Sequence, residues 1–177
     1  MARGRYIKDY RIVESLNGRG GIRLETEYIG DPYVFVCGAE KAGKSRRICI
    51  LLVLAGWLLF VVALVPNSAG MHTMYVSLPF AFAALPLGLM SSLLLSTLRL
   101  KEPMEHRVAD RFENRFPAQA LAVAVLPGIS LAGEGLMLLL GKQMIPGDWV
   151  FAACAAGLFA CGLALFLQRK VLRTRKG

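Results

Sequence analysis

The stretch GAEKAGKSRRICILLVLAGWLLFVVALV, Gly38 to Val65, carries two signals that compete for the fold. Its first eight residues, Gly38 to Ser45, fit the phosphate-loop pattern G-x-x-x-x-G-K-[ST] position by position. A strand-like run, YVFVC, precedes them. The last eighteen, Ile48 to Val65, are uncharged and apolar, long enough as a helix to cross the hydrocarbon core of a bilayer. A phosphate loop must lie between a sheet strand and a helix packed on that sheet, with an acidic magnesium partner at the end of another strand. Asp31 lies in a Gly-Asp-Pro turn, Asp110 in an expected amphipathic helix and Asp148 in a Pro-Gly-Asp turn on the far side, so none supplies that partner. The juxtamembrane reading therefore leads. Lys41, Lys44, Arg46 and Arg47 form a basic cluster facing anionic lipid headgroups, and Gly38 and Gly43 make a flexible link. Nucleotide binding through this string stays as a distant third functional reading.

The rest of the chain extends the pattern. Three more apolar runs follow, at about residues 74–98, 118–140 and 149–167, and only the third holds a charge, Glu134. None shows strand alternation, so helices are the expected way to satisfy the backbone in lipid. Of the 21 Lys and Arg, all but Lys142 fall in residues 1–47, 99–116 and 168–177. The positive-inside rule then puts both termini and the middle loop in the cytoplasm. The expected fold is an all-α integral membrane protein of the cytoplasmic (inner) membrane. It is a four-transmembrane-helix bundle over 48–167, with both termini inside, a cytosolic loop at 99–117 and a basic tail at 168–177. The net charge of +9 in a chain that is 55% hydrophobic argues against nucleic acid as a partner, because the cations flank apolar runs and form no basic domain of their own. The first 47 residues are polar, so no secretory signal peptide is expected there.

Residues 1–47 are expected to hold a small cytosolic antiparallel β element, a hairpin or meander, followed by the basic linker. Tyr6, Tyr10, Ile12 and Leu16 alternate with polar neighbours, as do Ile22, Leu24, Thr26 and Tyr28. NGRGG lies between them as turn chemistry, and YVFVC reads as a third strand. Between the second and third spans, Met104, Val108, Phe112 and Phe116 recur every four residues beside a stripe of Arg107, Arg111 and Arg115. That spacing predicts an amphipathic helix, lying in the headgroup region or extending a neighbouring span.

Glu134 is the one ionisable group inside a span and has to face protein or water. Ser130 sits one turn before it, so the pair is the candidate intramembrane polar site, either a proton, cation or substrate site or a structural hydrogen bond. Pro79 and Pro86 predict a kink in the second span. Ala153, Gly157 and Cys161 at four-residue spacing are candidates for close helix packing, within the bundle or with a second copy. No cysteine pair has metal or disulfide spacing, and no nucleophile–base set lies in the spans, so neither a metal, a cofactor nor an enzymatic activity is expected. The leading functional reading is a non-enzymatic accessory or scaffold subunit of a membrane complex, binding lipid and another membrane protein or itself. The alternative is a small oligomeric transporter or channel built on Glu134.

Overall fold

A computed structural model describes residues 10–16, 22–30, 33–97, 109–141 and 144–176. The element order is β1 (Tyr10–Leu16), β2 (Ile22–Tyr28), β3 (Tyr33–Phe35), α1 (Ala39–Ala63), α2 (Met74–Phe82), α3 (Ala84–Thr97), α4 (Phe116–Leu139), α5 (Pro146–Gln168) and β4 (Thr174–Lys176). Four helical stretches are long and apolar enough to cross a membrane: Glu40–Ala63, Met74–Ser96, Glu113–Leu139 and Pro146–Gln168. They form a helical bundle in which α4 lies against α5, α1 against α5, and α2 against α4.

The second stretch is broken at Ala83 for a local reason. Pro86 has no N–H to give the carbonyl of Phe82, so the ladder fails one turn before it. The Ala83 amide turns inward onto the carbonyls of Pro79, at 3.2 Å, and Phe80, at 3.0 Å. α2 and α3 are the two halves of this kinked span. α4 ends on a left-handed glycine, Gly141 (φ +73°), whose amide reaches the Leu138 carbonyl at 3.0 Å.

Two apolar clusters fill the interior. At one end, Cys49, Val53, Met90, Leu94, Phe116 and Leu165 meet Phe35 and Leu172 from the flanking segments. Towards the other end, Phe60 of α1 stacks on Phe80 of α2 with centroids 5.0 Å apart. Phe80 in turn lies 4.8 Å from Phe151 of α5. In lipid no hydrophobic gradient drives helices together, so such close van der Waals contacts and interhelical hydrogen bonds carry the association. One of those bonds runs from Trp57 Nε1 to Ser91 Oγ at 3.0 Å, which ties α1 to α3.

Several expectations need correction. The linker 38–47 is not a flexible joint: Ala39 already begins α1, and the helix runs through Gly43 and both arginines. Gly38, at φ +84°, makes the bend before it. The YVFVC run does not extend a meander, because β3 pairs antiparallel with β4, Tyr33 opposite Lys176 and Phe35 opposite Thr174. β1 and β2 pair antiparallel with each other, Tyr10 opposite Tyr28 through Leu16 opposite Ile22. The NGRGG turn lies outside the described residues, as do Arg107 and most of the middle loop. From Ala109 onward that loop is helical and passes through a π-helical turn, Arg111–Arg115, straight into α4, so this part extends the third span.

Both flanking segments meet at one end of the bundle. Besides the β3–β4 pair, Ser45 Oγ donates to Gln168 Oε1 at 2.7 Å and the Cys37 thiol donates to the Val171 carbonyl at 2.9 Å. Val36 N–H adds a bond to the Arg173 carbonyl at 3.0 Å.

Candidate functional site

The opposite end holds the polar groups. The connection between α1 and α2 passes through Asn67 and Ser68, makes one 3₁₀ turn at Gly70–His72, and enters α2 at Thr73. It folds down onto the start of α5. A Cβ on Gly147 would come 2.9 Å from the carbonyl carbon of Asn67 and collide with its oxygen, so glycine is needed for the loop to seat there. Pro146 and Asp148 open α5 in the usual manner, proline in the first turn and a carboxylate against the helix N-terminus. Asp148 does more than cap. Its Oδ2 accepts the Ile145 amide at 2.9 Å. Its Oδ1 accepts the Ser68 hydroxyl at 2.8 Å and the Gly70 amide at 3.3 Å. The carboxylate, 3% exposed, is the peg on which the loop hangs. Thr73 Oγ1 donates to the Gly70 carbonyl at 2.7 Å and stiffens the same turn.

Glu134 reaches this peg from α4. It is 2% exposed, and both of its carboxyl oxygens are buried with no hydrogen-bond partner. Its carboxyl group sits against Gly70, where any Cβ would run into Oε1 and come 3.3 Å from Cδ. The Ser68 hydroxyl lies equally close to that same point, at 3.3 Å, but gives its proton to Asp148. Asp148 is near enough for the two carboxyl groups to repel. An ionised carboxylate out of water and without a donor is costly. The two free oxygens therefore suit a proton, a small cation or a donor group from a ligand.

The sequence paired Glu134 with Ser130, and the structure does not join them. Ser130 is buried one turn below, and its hydroxyl bonds back to the Leu126 carbonyl at 3.3 Å. The groups that actually surround Glu134 come from Gly70, Ser68 and Asp148. Asp148 was missed because Pro-Gly-Asp reads as a turn; the same letters are a helix N-terminus with proline in the first turn and aspartate at its third position. Lys142 lies outside the described residues. Among the described residues no group of three or more His, Cys, Asp and Glu could hold a metal ion. His72 is engaged with Asn67, ring nitrogen to amide oxygen, at 3.0 Å.

At the basic end, Gly38 of the string GAEKAGKS makes the bend and Ala39 to Ser45 are the first turns of α1. The Ala42 amide bonds to the Gly38 carbonyl inside the helix, Ser45 is spent on Gln168, and Lys44 pairs with Glu40 at 2.9 Å along the exposed helix face. Lys41, Lys44 and Arg47 are exposed and Arg46 is half-buried on the same first turns of α1. Arg115 is exposed at the start of α4, and Arg111 lies in the π-helical turn.

The packing candidates divide. A Cβ on Gly157 would touch Leu59 of α1 at 3.0 Å, so this glycine serves the bundle itself. Ala153 is exposed and Cys161 half-buried. The tightest crossing involves Gly162, one residue past the expected stripe.

By class, then, this is a helical protein with four helices long and apolar enough to cross a membrane, with two buried carboxyl groups, Glu134 and Asp148, at one end. No protein-family model, curated protein or solved structure matches the chain.

Proposed function

We propose that the protein is a non-enzymatic multi-pass subunit of the cytoplasmic membrane, with both termini inside, that docks a partner protein through its N-terminal hairpin. The observation behind this is that β1 and β2 pair with each other and with no other described strand. A lone two-stranded hairpin is marginal in water, and its outer edges present unpaired backbone groups. A partner that adds a strand or covers the hairpin meets both needs. The basic end around it would hold the subunit at anionic headgroups, the role proposed for Lys41, Lys44, Arg46, Arg47, Arg107, Arg111 and Arg115. The test is affinity purification of the full chain from native membranes after mild cross-linking, beside a variant lacking residues 1–30. A stoichiometric partner should accompany the full chain and vanish with the deletion, while membrane insertion persists. A full chain that runs alone as a monomer ends this reading.

The orphaned oxygens of Glu134 favour a second reading, a small oligomeric transporter or channel in which Glu134 binds a proton or cation. Glu134→Gln keeps the shape and removes the ionisable group. In liposomes it should abolish proton- or cation-coupled flux of the reconstituted protein. Flux equal to the wild type would remove Glu134 from the mechanism.

A further inference from the structure

The basic end has a pocket that the sequence did not single out. About 450 Å³ in volume, it opens between the approach to α4 and the end of α5, and is lined by Glu113, Pro117, Arg169, Lys170, Leu172 and Arg173. Three cations against one carboxylate leave this lining with a surplus of positive charge. Among the described residues none of the three cations makes an ion pair.

These cations stand on a fixed platform. After α5 the chain closes two tight turns, with Lys170 N–H on the Leu167 carbonyl at 3.4 Å and Leu172 N–H on the Gln168 carbonyl at 3.2 Å. Leu172 is buried beneath, at 2% exposure, and β4 is held by β3. The Arg169 guanidinium lies 3.8 Å above the centre of the Phe166 ring. Stacking leaves the N–H edges of a guanidinium free for an incoming acceptor. Cations at the end of a helix also complement its dipole. That accounts for their sign. It accounts neither for a pocket between two helices nor for the apolar Pro117 and Leu172 in its wall.

We infer that this pocket binds the phosphate of an anionic lipid headgroup, with Arg169 and Arg173 as the phosphate ligands, Lys170 as an added charge, and Pro117 and Leu172 beside the start of the lipid's apolar part. Arginine's planar fork matches phosphate oxygens in pairs. Basic pockets between helices where a bundle leaves the bilayer are suited to such headgroups. The volume falls within the range of small-ligand sites, roughly 300–1,000 Å³. The inference rests on the membrane placement proposed above and is independent of the partner protein and of Glu134.

The experiment uses the full chain extracted in mild detergent and examined by native mass spectrometry after exchange into phosphatidylcholine alone, phosphatidylcholine with phosphatidylglycerol, or the latter mixture with excess inorganic phosphate. The chain should retain one phosphatidylglycerol and no comparable phosphatidylcholine, and inorganic phosphate should not displace it. The double variant Arg169→Gln/Arg173→Gln should bind phosphatidylglycerol at least about tenfold more weakly, the loss expected for removing charge-assisted bonds. The control Arg11→Gln/Arg23→Gln removes the same charge from the β1–β2 hairpin, which takes no part in the pocket, and should retain the lipid. Equal retention in the two double variants overturns the site, and so does absence of retention by the wild type. Displacement by inorganic phosphate assigns the pocket to a free anion and overturns the lipid. Size-exclusion profiles show that the variants are folded; if Arg169→Gln/Arg173→Gln aggregates, Arg169→Lys/Arg173→Lys takes its place, and wild-type retention in it overturns the role of the guanidinium forks. A carbonate wash beforehand separates this result from the membrane placement: a chain released by the wash fails the placement itself, whereas an embedded chain without lipid fails only the pocket.

Discussion

Gly162→Leu is expected to separate α4 from α5 and cost the protein its folded state in detergent. A Cβ at position 162 would stand 2.5 Å from the amide nitrogen of Ala124, 2.7 Å from its Cα and 2.8 Å from the carbonyl carbon of Val123. All three are backbone atoms, so no side chain can swing aside to make room. The helices must move apart along the most extensive interface in the bundle. Overpacking in a well-filled interior costs typically ~1–3 kcal/mol, and a contact that only backbone displacement can relieve belongs at or above the top of that range. In lipid the lost contact is also the chief source of helix association, with no hydrophobic term behind it. Gly162→Ala should show a smaller loss of the same kind. Gly135→Leu is the control, because nothing lies within 4 Å of a Cβ there and position 135 is exposed. The readouts are thermal midpoint and the monodisperse fraction on size exclusion. A Gly162→Leu protein as stable as Gly135→Leu would show that the two backbones do not approach as described.

That residue also shows where the sequence stopped being legible. The four apolar stretches follow from length and hydropathy, and the kink follows from Pro86. Which face of each helix meets a neighbour does not. α5 is apolar all round, so its buried stripe of Cys154, Ala155, Leu158, Gly162 and Leu165 has no polar face to set it off. The four-residue spacing of Ala153, Gly157 and Cys161 is equally regular, and it lies one residue out of phase with the buried Cys154, Leu158 and Gly162. At the basic end the failure has another cause. Hydropathy detects α1 only from Ile48, whereas Glu, Lys, Ala and Arg are good helix formers in water and carry the helix back to Ala39. The β3–β4 pair is made by backbone groups of three residues each, so no side-chain pattern announces it. The candidate site was half visible. Glu134 stands out as a lone charge in a span, but Ser68, Gly70 and Asp148 reach it only through the folding of a loop, and that closeness has no spacing to read.

Asp148→Ala should release that loop. One carboxylate takes the Ser68 hydroxyl, the Gly70 amide and the Ile145 amide, and alanine takes none of them. Ser68 is 1% exposed and Gly70 is buried, so water cannot replace the lost acceptor without the loop lifting. Each donor left unsatisfied in the interior costs about 1–3 kcal/mol, and bonds to a charged acceptor lie at the strong end. The two buried donors, Ser68 and Gly70, together come to more than about 2 kcal/mol, and the part-buried Ile145 amide adds to it, enough that opening residues 66–73 to water becomes the cheaper state. Hydrogen exchange followed by mass spectrometry reads this directly. Peptides covering 66–73 and the first turn of α5 should lose protection in Asp148→Ala, while the middle of α5, around Ala155 and Leu158, keeps it. Asp148→Asn retains one acceptor oxygen, for Ser68 and Gly70, and turns an NH₂ towards the Ile145 amide. It should therefore hold the loop but fray the first turn of α5, an ordering that loss of charge alone would not produce. Lifting the loop would also bring water to the two orphaned oxygens of Glu134, so any flux that depends on Glu134 should change in Asp148→Ala and less so in Asp148→Asn. Unchanged exchange across 66–73 in the alanine variant would show that the loop is held by something other than this carboxylate.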